Sequence, residues 1–306
     1  MQLQKLFTLE LGNDNLFFNY ECVFFDAGDT IGLAYSGSHD NLIIKFIEKN
    51  GFERECITVN LPAVSLPSRW RIVHDGNNQL LLCPVSKQYC ISQEEKDSFP
   101  AGYAFLLKGN SVIQADYSNY SGCCCSGYSK CPNPYEFGEY TIIHESQFKY
   151  SCYRKNGGQK VWTQVLQGYL YRDIVRFDDI VIIKTAGMGG YVYGINIENG
   201  NIVYKINTGD SSAIAFAGSN LYTLVRGKSG KLLVADIHTG EILCSEMGFS
   251  VNSYCSIGVI GDLVAAVTCI INKDEWPTAA IQCFTTRSEC QGDGSLDTKL
   301  EGNVSE

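Results

Sequence analysis

The chain has 306 residues, with 24 Lys and Arg against 33 Asp and Glu, for a formal charge of −9. Hydrophobic residues make up 45% and charged residues 19%, which excludes a disordered chain. The acidic sign excludes broad binding to a phosphate backbone, which needs clustered Lys and Arg, and stays compatible with a basic protein partner.

At the N-terminus the first apolar stretch, Leu6 to Leu9, is cut by Glu10, and no small-residue cleavage site follows. The longest apolar run, Leu263 to Ile271, is too short to cross a bilayer. The expectation is a cytoplasmic monomer, away from membranes and nucleic acid. Its 14 cysteines are then mostly reduced and buried as small hydrophobes.

Taken in chain order, Lys5 to Leu11 reads as a strand that completes the last structural unit and closes a circle. Asp26 to Ala34 and Leu42 to Phe46, followed by Asn50-Gly51, read as a first unit. Asp75 to Leu82 with Lys87 to Ile91 makes a second. Lys108 to Gln114 opens a third, which runs into a Cys-rich loop insertion near 117–137. From 138 to 290 four clearer units follow. Their leading strands are Gly138 to Ile143, Asp178 to Ile183, Gly218 to Leu224 and Gly261 to Val267, the last preceding Ala280 to Phe284. Residues 291–306 form a polar tail, and no amphipathic helix is apparent.

Three segments align without gaps around a turn glycine: Ser151 to Trp162, Tyr193 to Tyr204 and Leu233 to Cys244. Gly158, Gly200 and Gly240 stand 42 and 40 residues apart, each four residues before Trp162, Tyr204 or Cys244. Each segment reads as a β-hairpin whose glycine supplies the positive φ of the turn. Four-stranded units at a period near 40 predict an all-β chain. The fold is a β-propeller of four-stranded blades, seven by this spacing, with six or eight as neighbouring counts, in a single domain over 1–290.

At these residues the sequence resembles the quinoprotein-like propellers, with their pyrroloquinoline-quinone-type repeats. The family motif is similar to Ala-x-Asp-x-x-x-Gly-x-x-x-Trp, with Thr often before the glycine. The third segment keeps Asp236, Thr239 and Gly240 with Cys244 for the tryptophan. The second has Gly194, Asn196 and Gly200 with Tyr204, and the first keeps Gly158 and Trp162. The resemblance implies a propeller. It leaves cofactor-dependent dehydrogenases, assembly scaffolds and pure binding proteins all open.

Candidate chemistry is sparse. Cys123-Cys124-Cys125 with Cys131 sits in a Gly- and Pro-rich loop. The resemblance implies a cofactor-side disulfide between adjacent cysteines there, as in quinone- and calcium-dependent oxidoreductases. Cys125 and Cys131, with Cys152 or His144, are the candidate metal ligands, but their spacing is not that of a zinc knuckle. An inserted loop with free thiols explains the segment as well. No convergent calcium set emerges from Asp26, Asp29, Asp116, Asp173 and Asp210. Asp178-Asp179 and Asp26/Asp29 read as turn residues, His238 belongs to a hairpin turn, and Gly187 to Gly190 reads as an inter-strand loop. No cofactor is expected.

In a four-strand meander the Thr-Gly hairpins gather at one end of the sheets. Loops between second and third strands, and between units, gather at the other. That second set carries Tyr169, Tyr171, Arg172, Met188, Arg226, Tyr254, Asp274, Glu275 and Trp276. Aromatics and arginine are the usual anchors of protein interfaces. The expected function is therefore non-catalytic protein binding through this loop-rich face. Its most concrete form is a scaffold or an immunity-type inhibitor that covers a basic toxin. The alternative is the quinone- and calcium-dependent oxidoreductase. A carbohydrate-binding propeller is a third class, with no feature favouring it.

Overall fold

Every regular element described in the computed structural model is a β-strand. The described residues are 2–12, 23–38, 41–60, 70–74, 80–84, 103–108, 111–116, 134–146, 148–170, 174–187, 189–211, 213–251, 255–270 and 278–287. Strand β1 (Gln2–Gly12) is followed by a four-stranded antiparallel sheet of β2 (Val23–Ala27), β3 (Thr30–Ser38), β4 (Asn41–Glu48) and β5 (Glu53–Asn60). A second sheet has β6 (Trp70–His74), β7 (Leu80–Pro84), β8 (Tyr103–Lys108) and β9 (Ser111–Asp116). The third has β10 (Tyr135–Phe137), β11 (Tyr140–Ser146), β12 (Lys149–Arg154) and β13 (Lys160–Val165).

The fourth sheet begins with two short strands, β14 (Tyr169–Leu170) and β15 (Val175–Phe177), which pair with opposite ends of β16 (Ile180–Ala186). It continues with β17 (Tyr191–Asn196) and β18 (Ile202–Asn207). Next come β19 (Ile214–Ala217), β20 (Asn220–Val225), β21 (Gly227–Asp236) and β22 (Ile242–Val251). The last group has β23 (Ile257–Ile260), β24 (Leu263–Ile270) and β25 (Thr278–Arg287), and β1 joins it along β25 from Gln2↔Arg287 to Gly12↔Ala279. A single bridge, Ser250↔Cys269, links these last two groups. The N-terminal strand thus supplies the fourth strand of the C-terminal unit, as the sequence predicts.

Six units stand among the described residues, five of four strands and one, the fourth, of five, where the sequence spacing predicts seven. The second and third predicted units are one sheet: Lys108 pairs with Ser111 across the β8–β9 hairpin, so Lys108 closes a unit rather than opening one. The structure also trims the predicted insertion, because Tyr135–Phe137 is strand β10 of the next sheet.

From the third sheet through the last group to the first, neighbouring sheets bury their faces against each other. One core joins Ile142, Tyr150 and Trp162 of the third sheet to Ile183, Tyr193 and Ile195 of the fourth. Another joins Ile182 and Tyr204 to Leu221, Ala235 and Ile237. A third joins Leu232 and Val234 to Val264 and Phe284. The last group packs in turn on the first sheet, Ala265 and Ile281 against Leu33 and Tyr35. All seven positions of β16 are buried, because that strand is covered on both faces. This is why it reads as a continuous apolar run rather than an alternating one. Cys152 and Cys283 lie in these cores, where burial pushes their thiols up to about 11 and about 12.

The repeat has a physical cause. In four hairpins the register slips by one residue just after the turn, between Phe46/Ile47, Cys152/Tyr153, Gly194/Ile195 and Val234/Ala235. The bulge re-aims the residue that follows it, and in two of these hairpins that residue docks on the next sheet. Trp162 donates from Nε1 to the carbonyl of Ile197 at 2.7 Å, its ring lying over Gly200. Tyr204 donates from its hydroxyl to the carbonyl of Ile237 at 2.8 Å, its ring lying over Gly240. In both cases a methyl group at the glycine would enter the ring. Phe7 of β1 covers Gly51 in the same way. Burial pushes the Tyr204 phenol well above its ordinary range, so it stays a donor. Tyr204→Phe keeps the ring but orphans a buried carbonyl, and a loss of about 1–2 kcal/mol is expected in urea unfolding. An unchanged midpoint would show that the ring alone holds the seam.

The motif aspartate acts locally. Asp236 Oδ1 accepts from the amides of His238 and Thr239 at 2.9 and 2.8 Å and from the Thr239 hydroxyl at 3.0 Å. Asn196 plays the same part toward Glu198 and Asn199. The Thr239 amide leads the effects that hold the Asp236 carboxyl below its ordinary 3.8. A depressed folded value adds stability above the unfolded value, and that stability is lost as pH falls through the folded one. Asp236→Asn, which keeps the acceptor without the charge, is expected to be less stable than wild type at neutral pH. The gap should close as acid is added below 3.8. A gap independent of pH would assign the effect to geometry instead.

Candidate functional site

The meander gathers two kinds of connection at opposite ends of the sheets. The hairpin turns 197–201 and 237–241 meet the turns at Asp179 and Ser219, through Ile197 N to Asp179 O and Ile237 N to Ser219 O. Asp178 lies in one such turn with φ 49°, and Gly28 donates to Asp26 across another at 3.0 Å. These aspartates are turn residues, as the sequence predicts.

The other end carries the loops. Thr208 N bonds Gly190 O, and Arg226 N bonds Thr208 O, both at 2.9 Å, so three connections from two adjacent sheets are stitched together. Asp210 stands at the junction in a left-handed conformation, φ 78°, a strained backbone for a non-glycine residue. The preceding turn holds it there: Gly209 N donates to Asn207 Oδ1 at 2.8 Å. The two carboxylate oxygens of Asp210 reach different loops. One accepts from Gly187 N, and the other meets Arg226 Nη1 at 3.2 Å. The ion pair is half exposed and worth about 0–1 kcal/mol by itself. Its consequence is positional, because it fixes where the arginine points.

Beneath the junction Lys184 is 1% exposed. Its Nζ donates to Thr185 O at 2.9 Å and to Thr208 Oγ1 at 2.7 Å. The Thr185 hydroxyl donates to Gln167 O at 2.8 Å, and Tyr193 accepts from Gln167 N at 3.1 Å. Tyr169 lies at the same end. Its ring covers Gly187 and packs 5.3 Å from that of Phe148. Tyr169, Gly187, Asp210 and Arg226 therefore form one continuous surface.

Of the predicted binding residues, the structure places Tyr169 and Arg226 together here. Tyr171, Arg172, Met188, Tyr254, Asp274, Glu275 and Trp276 lie outside the described residues, as do Cys123 to Cys125 and Cys131. Among the described residues no three His, Cys, Asp or Glu side chains group as metal ligands would. Sequence reasoning passed over Lys184, although a lysine inside the apolar run Ile180–Ala186 is a readable signal of a buried polar anchor.

The arrangement has the makings of an interface. Half-exposed arginine and tyrosine stand on a base locked by hydrogen bonds, so little ordering remains to be done on binding.

No family model and no curated protein matches the chain. Among solved structures, the chain is similar to BamB from Moraxella catarrhalis at 12% identity and TM-score 0.34, over 93% of this chain and 100% of that one. It is also similar to the computationally designed Ika8 protein at 11% identity and TM-score 0.35, over 86% of this chain and 70% of that one.

Proposed function

We propose that the chain is a β-propeller that acts by binding another protein, with its loop-bearing end as the recognition face. The propeller reading rests on face-to-face packing from the third sheet through the last group to the first, on aromatic-to-glycine docks at the repeat period, and on β1 completing the C-terminal unit. The binding reading rests on one observation above all: Asp210 ties loops of two adjacent sheets into a single surface that presents Arg226 and Tyr169. The finer form is an acidic inhibitor or scaffold in the cytoplasm, and the net charge of −9 favours a basic partner.

The test is capture from native cells on the tagged full chain, read by mass spectrometry. One stoichiometric protein, retained in moderate salt, is expected. Arg226→Ala and Trp276→Ala should each weaken it by about tenfold or more, the size of an interface anchor. Capture of the same protein by both variants at wild-type level would overturn the face assignment.

A further inference from the structure

The chain has three Asn-Gly steps, Asn50-Gly51, Asn156-Gly157 and Asn199-Gly200. Each falls in the turn of a hairpin: β4–β5, β12–β13 and β17–β18. Such a step is chemically labile, because a glycine amide nitrogen has no side chain beside it to hinder attack on the preceding Asn Cγ. A turn that ties up that nitrogen and the Asn side chain keeps the two atoms apart.

Two of the steps are tied. Gly200 N donates to Asn196 O at 2.9 Å, and Asn199 Oδ1 accepts from Asn201 N at 2.8 Å. Gly51 N donates to Glu48 O at 2.8 Å. The Asn50 side chain donates to Glu48 Oε2 and accepts from Phe52 N, both at 3.1 Å.

The third step is left open by a departure from the repeat. Asn196 and Asp236, four residues before their turn glycines, accept from the amides two and three residues ahead. Counted back from Gly158, that position holds Arg154, whose guanidinium accepts no hydrogen bond. The amide three residues ahead, which an acceptor there would hold, is that of Gly157. The outer bonds of the turn survive, Arg154 N to Gln159 O and Lys155 N to Glu139 O, both at 2.8 Å. Within it, among the described residues, neither Gly157 N nor the Asn156 side chain makes a hydrogen bond. Residues 154–160 are all exposed, so solvent reaches both reacting atoms.

We infer that Asn156 is a site of spontaneous covalent modification, set apart from the other two steps by the missing acceptor at Arg154. Gly157 N bonds to Asn156 Cγ, the Cγ–Nδ2 bond breaks, and ammonia leaves carrying the Gly157 amide proton. The product is a cyclic imide. Water then opens the ring at either carbonyl, giving aspartate or isoaspartate. The net change replaces NH2 by OH, with no oxidant or reductant, and adds a negative charge. The isoaspartate product also lengthens the backbone of this turn by a methylene, at the end of the sheets opposite Arg226.

The test incubates the full chain at neutral pH, natively and in urea. Peptide mapping by mass spectrometry, with chromatographic separation of isoaspartate, follows each step. In the native chain Asn156 should react about fivefold or more faster than Asn50 or Asn199, the protection that one hydrogen bond confers. In urea the three rates should draw together. Arg154→Asn restores the acceptor and should slow the reaction at Asn156 by about fivefold relative to Arg154→Ala, which removes the same charge without supplying one. Native reaction at Asn50 or Asn199 as fast as at Asn156, the same ranking in urea, or equal rates in the two variants would overturn the inference.

Discussion

Trp162→Ala is expected to remove about 3–5 kcal/mol of stability, among the largest effects of any single side chain in the described core. The indole is 6% exposed and belongs to the core between the third and fourth sheets. Truncation empties that space and leaves the Ile197 carbonyl without its 2.7 Å donor, adding the cost of a buried unsatisfied acceptor. Gly200→Ala attacks the same seam from the other side. Its φ of +77° is hostile to a side chain, and a Cβ would sit 2.5 Å from the indole ring. The two changes should therefore be strongly non-additive: with the indole gone, Gly200→Ala keeps its backbone penalty and loses its clash. Urea unfolding of the two single variants and the double variant measures the coupling. Additivity within about 0.5 kcal/mol would mean that the seam is not held by this dock.

The second large effect concerns the N-terminal strand. Proline at Thr8 and at Leu9 is expected to split, one variant losing about 2–3 kcal/mol and the other clearly less. β1 pairs with β25 through Thr8↔Gln282 and Leu9↔Ile281, and successive amides along an antiparallel strand point to opposite sides. Only one of the two therefore donates to β25. Leu9 and Phe7 pack against the core shared by the first and last sheets, and Leu11 is buried. Loosening β1 should therefore unprotect β25 amides in native-state hydrogen exchange together with the fall in midpoint. If both prolines are accepted with unchanged β25 protection, β1 does not hold the C-terminal unit together.

Local patterning made much of the fold legible. Turn glycines, with Asn196 or Asp236 four residues before two of them and Trp162 or Tyr204 four residues after two, mark bulged hairpins whose chemistry is contained within a dozen residues. Lys5 to Leu11 was readable as a strand without a local partner, and the C-terminal unit lacked a fourth strand, so the two completed each other. The second and third predicted units were miscounted for the opposite reason. Their strand pairing spans 85–102, a stretch with no strong turn signal, and a short Gly-Asn connection looks the same whether it opens a sheet or closes one.

The candidate site divides along the same line. That Tyr169 and Arg226 fall at the loop-bearing end follows from strand alternation alone, because a meander sends its connections to two ends in strict turn. Residue types and their spacing thus determined the strands, the hairpins and the end at which each loop emerges. Only the tertiary structure decided that Asp210 would bind loops of two sheets and that Lys184 would be drawn beneath them. Those outcomes depend on contacts between residues far apart in the chain. Such contacts arise where one sheet is laid against the next, and no short-range pattern carries that distance.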